Sequence, residues 1–224
     1  MVADRRPRSP PAERFTMQFL VLVLFAVLSG AAPALQATTD WVNAPGGVSI
    51  AVDTADNVYT VNWEYNPGGD ITLTKRDASG VVLWEQRYDN TDMTRHEVAT
   101  WVATDSAGSA IVSGTVRSGY SSPVNAASLV MKYAPDGRLL WRRVYESNFD
   151  GSSTRKVLVD ASDHVYVLGL GNGPTGMVTS VKKFAPDGTT LWTYYDRAGI
   201  GAPVNFKFTP DQHIVIAGRA IYGS

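Results

Sequence analysis

Three ten-residue segments of this chain superimpose without a gap, and that recurrence limits the fold more than any other feature. They are Lys75-Arg76-Asp77-Ala78-Ser79-Gly80-Val81-Val82-Leu83-Trp84, Lys132-Tyr133-Ala134-Pro135-Asp136-Gly137-Arg138-Leu139-Leu140-Trp141 and Lys183-Phe184-Ala185-Pro186-Asp187-Gly188-Thr189-Thr190-Leu191-Trp192. The Lys-to-Trp spacing is nine in each copy, and successive tryptophans are 57 and 51 residues apart. A second element is interleaved with the first: Asp53 to Tyr59, Asp105 to Ile111, Asp160 to Tyr166 and Thr209 to Val215. Two interlocked motifs at a period near fifty residues mark one supersecondary unit copied in tandem. Such a unit cannot bury its apolar faces alone and must stack on its neighbours.

Within a unit the chemistry is that of strands. Asp-Gly and Ser-Gly sit between apolar runs, where glycine accepts the positive φ of a tight hairpin. Near-continuous Val, Ile and Leu content suits strands covered on both faces. No run in the mature chain has amphipathic helical spacing. The third unit reads as four strands, about 156–160, 164–169, 177–184 and 189–195. The expected fold is therefore all-β: a β-propeller-like array of four-stranded antiparallel blades, three complete and a fourth in part, leaving an incomplete ring. Blades are expected at about 48–90, 97–147, 154–198 and 204–224. Asp40-Trp41-Val42-Asn43 resembles an isolated outer strand. The open ring suggests either a fragment or closure between copies of the chain as a homo-oligomer.

The first 37 residues stand apart. Arg5, Arg6, Arg8 and Arg14 precede an apolar run from Phe19 to Leu28, and small residues follow. Positive start, short apolar core and small-residue exit compose a secretory signal, with cleavage after Ala34 or Ala37 and an alternative start at Met17. The run is shorter than the ~20 apolar residues of a membrane span, so no stable span is expected after cleavage. The expected location is secreted, periplasmic or at the cell surface. The net charge is −1 over 224 residues, which lacks the concentrated basic surface that nucleic acid requires. With no cysteine, the chain has no disulfide, thiolate metal site or thiol nucleophile.

The Gly-x-x-Leu-Trp ending after the turn, at Gly80, Gly137 and Gly188, resembles the repeats of bacterial propellers. Two groups fit: the seven-bladed propeller repeat of secreted proteins and the pyrroloquinoline-quinone-like repeat. Residues 164–195 match best, and the likeness extends from about Trp41 onward. It implies a fold, since one fold hosts many activities. The absent cysteines depart from those quinoproteins that use a vicinal pair.

Two connections in each unit keep their length and two vary. The variable ones are 65–70, 117–127 and 171–176 between second and third strands, and 88–96, 146–154 and 196–202 between units. In a propeller both sets emerge on one face, where a rigid scaffold positions binding loops. Arg117, Tyr120, Asn148, Asp150 and Arg197 are the polar candidates for binding there. Trp84, Trp141 and Trp192, with Gly80, Gly137 and Gly188, are expected to be structural. Lys75, Lys132 and Lys183 are expected at exposed strand positions with their stems along apolar surface. The Asp-rich turns lack the dense oxygen ligands of a calcium loop. No catalytic residue, metal or cofactor is expected. The expected function is an exported non-catalytic module that binds a protein or glycan or serves as a scaffold. The alternative is a fragment of a quinoprotein-like oxidoreductase or other propeller enzyme.

Overall fold

The computed structural model describes residues 47–64, 69–89, 95–118, 126–145, 153–173, 176–196 and 201–219. The signal-like segment, Trp41, Tyr120, Asn148, Asp150 and Arg197 lie outside them. The described residues are all-β, with fourteen strands in four antiparallel sheets. Blade 1 holds β1 (Ser49–Val52), β2 (Val58–Trp63), β3 (Ile71–Arg76) and β4 (Val82–Tyr88). Blade 2 holds β5 (Arg95–Thr104), β6 (Ala110–Ser118), β7 (Ala127–Tyr133) and β8 (Leu139–Tyr145). Blade 3 holds β9 (Ser153–Val159), β10 (Val165–Gly173), β11 (Gly176–Phe184) and β12 (Thr190–Asp196). The fourth sheet is the pair β13 (Ala202–Phe208) and β14 (Ile214–Arg219). Strand order follows the chain in every sheet. The first strand of each later blade packs on the first two strands of the blade before it, so the sheets fan out from their first strands.

The constant turns explain the repeat. Asp53, Asp105 and Asp160 each use Oδ1 to accept the amides two and four residues on, at 2.7–3.0 Å. Thr209 takes this role through Oγ1, which accepts the His213 amide at 3.0 Å. The fourth turn position is left-handed in every copy: φ is 59° at Asp56, 74° at Gly108, 61° at Asp163 and 64° at Gln212. Asp is among the few non-glycine residues that adopt this conformation readily. Gly80, Gly137 and Gly188 hold φ of 87°, 88° and 82° at the other constant turn.

Each hairpin also carries a bulge that pure alternation would not place. Lys75 pairs with Trp84 and Arg76 with Val82, which leaves Leu83 outside the ladder. Leu140 and Leu191 are skipped in the same way. The repeated leucine is therefore the extra residue of a bulge, and it stands 41–50% exposed in the three blades. The slip turns the following tryptophan toward the next blade. Thr100, Arg155 and Val204 are the extra residues of a matching bulge in β5, β9 and β13.

Side chains fill the spaces between sheets. Tyr59, Val61 and Leu73 from blade 1 meet Val102, Val112 and Met131 from blade 2. Ile111, Val130 and Trp141 meet Val157, Val167 and Phe184. Tyr166, Leu168 and Val181 meet Phe206, Ile214 and Ile216.

A polar clasp joins blade 1 to blade 2 and blade 2 to blade 3 at the constant-turn end. Trp84 Nε1 donates to the Pro135 carbonyl at 2.8 Å, and Lys75 Nζ donates to the same oxygen at 3.2 Å. Trp141 and Lys132 repeat this on Pro186, at 2.9 and 3.2 Å. Gly137 lies against the Trp84 ring and Gly188 against the Trp141 ring, where a Cβ would come within 3.1 and 2.7 Å respectively. The Tyr59 hydroxyl donates to the Gly108 carbonyl at 2.6 Å, and Ser106 donates through N and Oγ to Asp163 at 2.9 and 2.7 Å.

This corrects the expectation for the lysines. Lys75 and Lys132 are buried, each 6% exposed, and Lys183 is half-buried. Their ammonium groups face Asp53, Asp105 and Asp160 at 3.7, 2.8 and 3.5 Å. A buried amine needs an acid and hydrogen-bond acceptors to offset its lost hydration. The turn aspartate supplies the acid to all three, and the next blade's carbonyl supplies an acceptor to Lys75 and Lys132.

Candidate functional site

At the opposite end, the variable connections other than that between β2 and β3 are shorter than expected because the strands run further. Arg117 is a strand residue of β6 rather than a loop residue, and it stands in register with His96 of β5. Gly171 to Gly173 belong to β10 and Gly176 to β11, so only 174–175 link those strands. Extended ladders satisfy backbone groups that a longer loop would leave to water.

Between blades 1 and 2 this end gathers charge. Glu97 is fully buried and His96 is 7% exposed. The Glu97 amide donates to the Gly69 carbonyl at 2.9 Å, which fixes the start of β5 against blade 1. Asp70 is buried and bound by Arg87. Arg142 of blade 2 reaches back to donate to the Tyr88 hydroxyl at 3.1 Å, its guanidinium 5.4 Å from the ring centre. Burial raises the Tyr88 phenol above its ordinary pKa; Arg142 opposes the rise and Glu97 adds to it. Burial, with Tyr88 adding and Arg142 opposing, pushes Tyr133 up to about 12. Arg117 is half-buried, and its Nε is shielded from solvent without a hydrogen-bond acceptor among the described residues. Of the five polar candidates from the sequence, Arg117 is the one that the described residues include.

A second arrangement follows the first strands. Ser49, Trp101, Lys156 and Asn205 each stand four residues before the first residue of the constant turn. They form a row across four adjacent strands. The Ser49 hydroxyl accepts the Val102 amide at 3.1 Å. Lys156, 8% exposed, donates to Asn205 Oδ1 at 2.7 Å and lies 5.0 Å from the centre of the Trp101 ring. Burial lowers the Lys156 pKa, and Lys207 adds to the effect. Beside this row, Thr100 shares hydrogen bonds with Ser113 and Thr154, and Thr154 donates to the Gly114 carbonyl at 2.9 Å. Sequence reasoning missed Lys156 because no partner recurs with it. Its place four residues before the turn is the signal that marks it.

The row offers a cation on an aromatic face beside an amide, a combination suited to holding a polar or anionic group. Among the described residues, no group of three or more His, Cys, Asp and Glu side chains is placed to hold a metal ion. None of the described residues forms a helix long and apolar enough to cross a membrane.

No protein-family model matches the chain, and no curated protein matches it. Solved structures do. A protein of unknown function from Bacteroides caccae is similar at 14% identity and TM-score 0.49, over 76% of this chain and 52% of that one. An apocarotenoid oxygenase from Synechocystis is similar at 9% identity and TM-score 0.42, over 70% of this chain and 38% of that one. A gluconolactonase from Xanthomonas campestris is similar at 16% identity and TM-score 0.32, over 76% of this chain and 68% of that one. The chain spans about half the length of the Bacteroides protein.

Proposed function

We propose that the chain is an exported binding module in which stacked blades present a ligand surface at the variable end, and that the ligand is a protein or a glycan. One contrast carries the reading. At the constant end the recurring Asp, Lys and Trp side chains bond the first three blades within and between themselves. At the other end strand length and side chains change from blade to blade: Arg95 to Glu97 opens β5, whereas Ser153 to Arg155 opens β9. A rigid scaffold with variation confined to one end is the arrangement by which loops carry recognition. The module acts outside the cytoplasm, in the periplasm or at the cell surface.

The test uses the mature chain immobilised through its constant end, with cell-surface polysaccharide fragments and extracellular proteins passed over it. Binding is expected to weaken when Arg117 is replaced by alanine, and to be unchanged in Ser106→Ala, whose hydroxyl lies at the constant end. Failure to bind any of the panel, or equal loss in both variants, counts against the reading.

A further inference from the structure

We propose that Lys156 of β9, with Asn205 and Lys207 of β13, forms a binding site for an oxyanion, the carboxylate or phosphate group of a small ligand. Three observations converge on it.

The first is a buried cation that no acid answers. Lys75, Lys132 and Lys183 each face the aspartate of a constant turn. Lys156 is comparably buried, 8% exposed, and among the described residues no carboxylate pairs with it. Its neighbours are neutral: Asn205 Oδ1 at 2.7 Å, and the Trp101 ring, whose centre is 5.0 Å away. Burial is the largest influence on its pKa, and the one charge that adds to it is another cation, Lys207. An ammonium group withdrawn from water gains most from a counter-charge. The first strands packed beside β9 are β5 and β13, and neither brings an acid to Lys156.

The second is the placing of that other cation. The ladder between β13 and β14 is regular from Asn205 to Phe208, so Asn205 and Lys207, two apart, share one face of β13. Phe206 between them is buried in the cluster with Tyr166 and Leu168. Lys156 reaches the Asn205 side chain on that face. Two like charges on one patch repel, and an anion between them turns the repulsion into attraction.

The third is a set of unspent donors. An ammonium carries three N–H donors, and Lys156 spends one of them on Asn205 Oδ1. The Asn205 amide nitrogen has two more and Lys207 another three. Among the described residues none of these meets an acceptor. Asn205 and Lys207 are exposed, so an anion reaches the patch from solvent. It would accept charge-assisted hydrogen bonds from the two lysines and a neutral one from the amide. The Trp101 ring holds the Lys156 ammonium by cation–π attraction. Each residue of the site belongs to a paired strand, and the site does not rest on the reading given for the variable end.

The test uses the full chain with sodium phosphate or sodium glucuronate, each compared with sodium chloride at equal ionic strength. Isothermal titration is expected to show one-to-one binding of at least one of the two. Saturation should raise the melting temperature by about 3 °C. The larger response identifies phosphate or carboxylate as the group preferred. Lys156→Met is expected to abolish binding, and Lys207→Ala, at an exposed position, to weaken it at least threefold. Arg138→Ala, which removes an exposed cation at a constant turn, and Arg117→Ala at the variable end are expected to bind as the parent does. The proposal is overturned if neither anion binds, if chloride gives the same rise in melting temperature, or if Lys156→Met and Lys207→Ala bind as the parent does.

Discussion

The ring of Trp141 lies against Gly188 so closely that a Cβ there would stand 2.7 Å from the indole. The same ring donates its N–H to the carbonyl two residues earlier in that turn. One turn thus supplies both a flat surface and an acceptor to the blade before it, which is why Pro-Asp-Gly and Leu-Trp recur together.

Gly188→Ala is expected to be among the most damaging one-carbon changes in the chain. Left-handed backbone costs a non-glycine residue about 1–2 kcal/mol, and overpacking adds about 1–3 kcal/mol. Gly137→Ala, where the closest approach is 3.1 Å to Trp84 and to the far end of the Gln86 side chain, should cost less. Urea unfolding of the two variants against the parent checks the order.

Lys132→Met is expected to destabilise by about 3–5 kcal/mol, because it strands the buried Asp105 carboxylate. Replacing both partners, Lys132→Met with Asp105→Asn, should recover part of that loss. A double-mutant cycle read by denaturant midpoint measures the coupling. No coupling would mean that the lysine stabilises through its stem alone.

Acid should unfold the chain partly through its turns. Burial is the largest influence on Asp53 and on Asp160, and it pushes both pKa values up. Hydrogen bonds outweigh it and hold both below the ordinary value: Asn57 and Ala55, with the Lys75 charge, at Asp53; His164, Tyr166 and Ser162 at Asp160. A depressed folded-state pKa contributes stability that is complete above the unfolded value of about 3.9 and is lost as pH falls through the lower folded one. Asp53→Asn is expected to flatten the stability profile below about pH 4, as followed by thermal melting at a series of pH values.

Lys156 works in the opposite sense. Burial lowers its pKa in the fold, so the unfolded chain holds that proton more tightly. Stability from this group then rises as pH climbs through the folded value toward about 10.4. Lys156→Met is expected to raise the melting temperature at pH 7 and to remove the alkaline rise. Asn205 is exposed and loses little when water replaces the amine.

The repeat made the strands and both constant turns legible in the sequence, since each rests on local chemistry: an Asp oxygen facing its own amides, or a glycine at positive φ. The burial of the lysine ladder does not follow from the lysines alone, because it depends on the aspartate of the preceding turn. Their co-occurrence in Asp53 with Lys75, Asp105 with Lys132 and Asp160 with Lys183 was the signal. The bulges at Leu83, Leu140 and Leu191 were not legible, because one skipped residue leaves no mark on composition. The charged group around Glu97 was hidden for another reason. Its members come from β4, β5, β6, β8 and the connection before β3, and nothing in their spacing announces that blades 1 and 2 bring them together.

Each clasp runs one way, from the tryptophan and lysine of one blade to the turn of the next. Two copies approaching back to back around a twofold axis would set indole against indole and leave both N–H groups unanswered. Growth of the array is therefore vectorial, like adding bricks with studs above and sockets beneath, and a unit inserted anywhere in the row finds its fittings already cut.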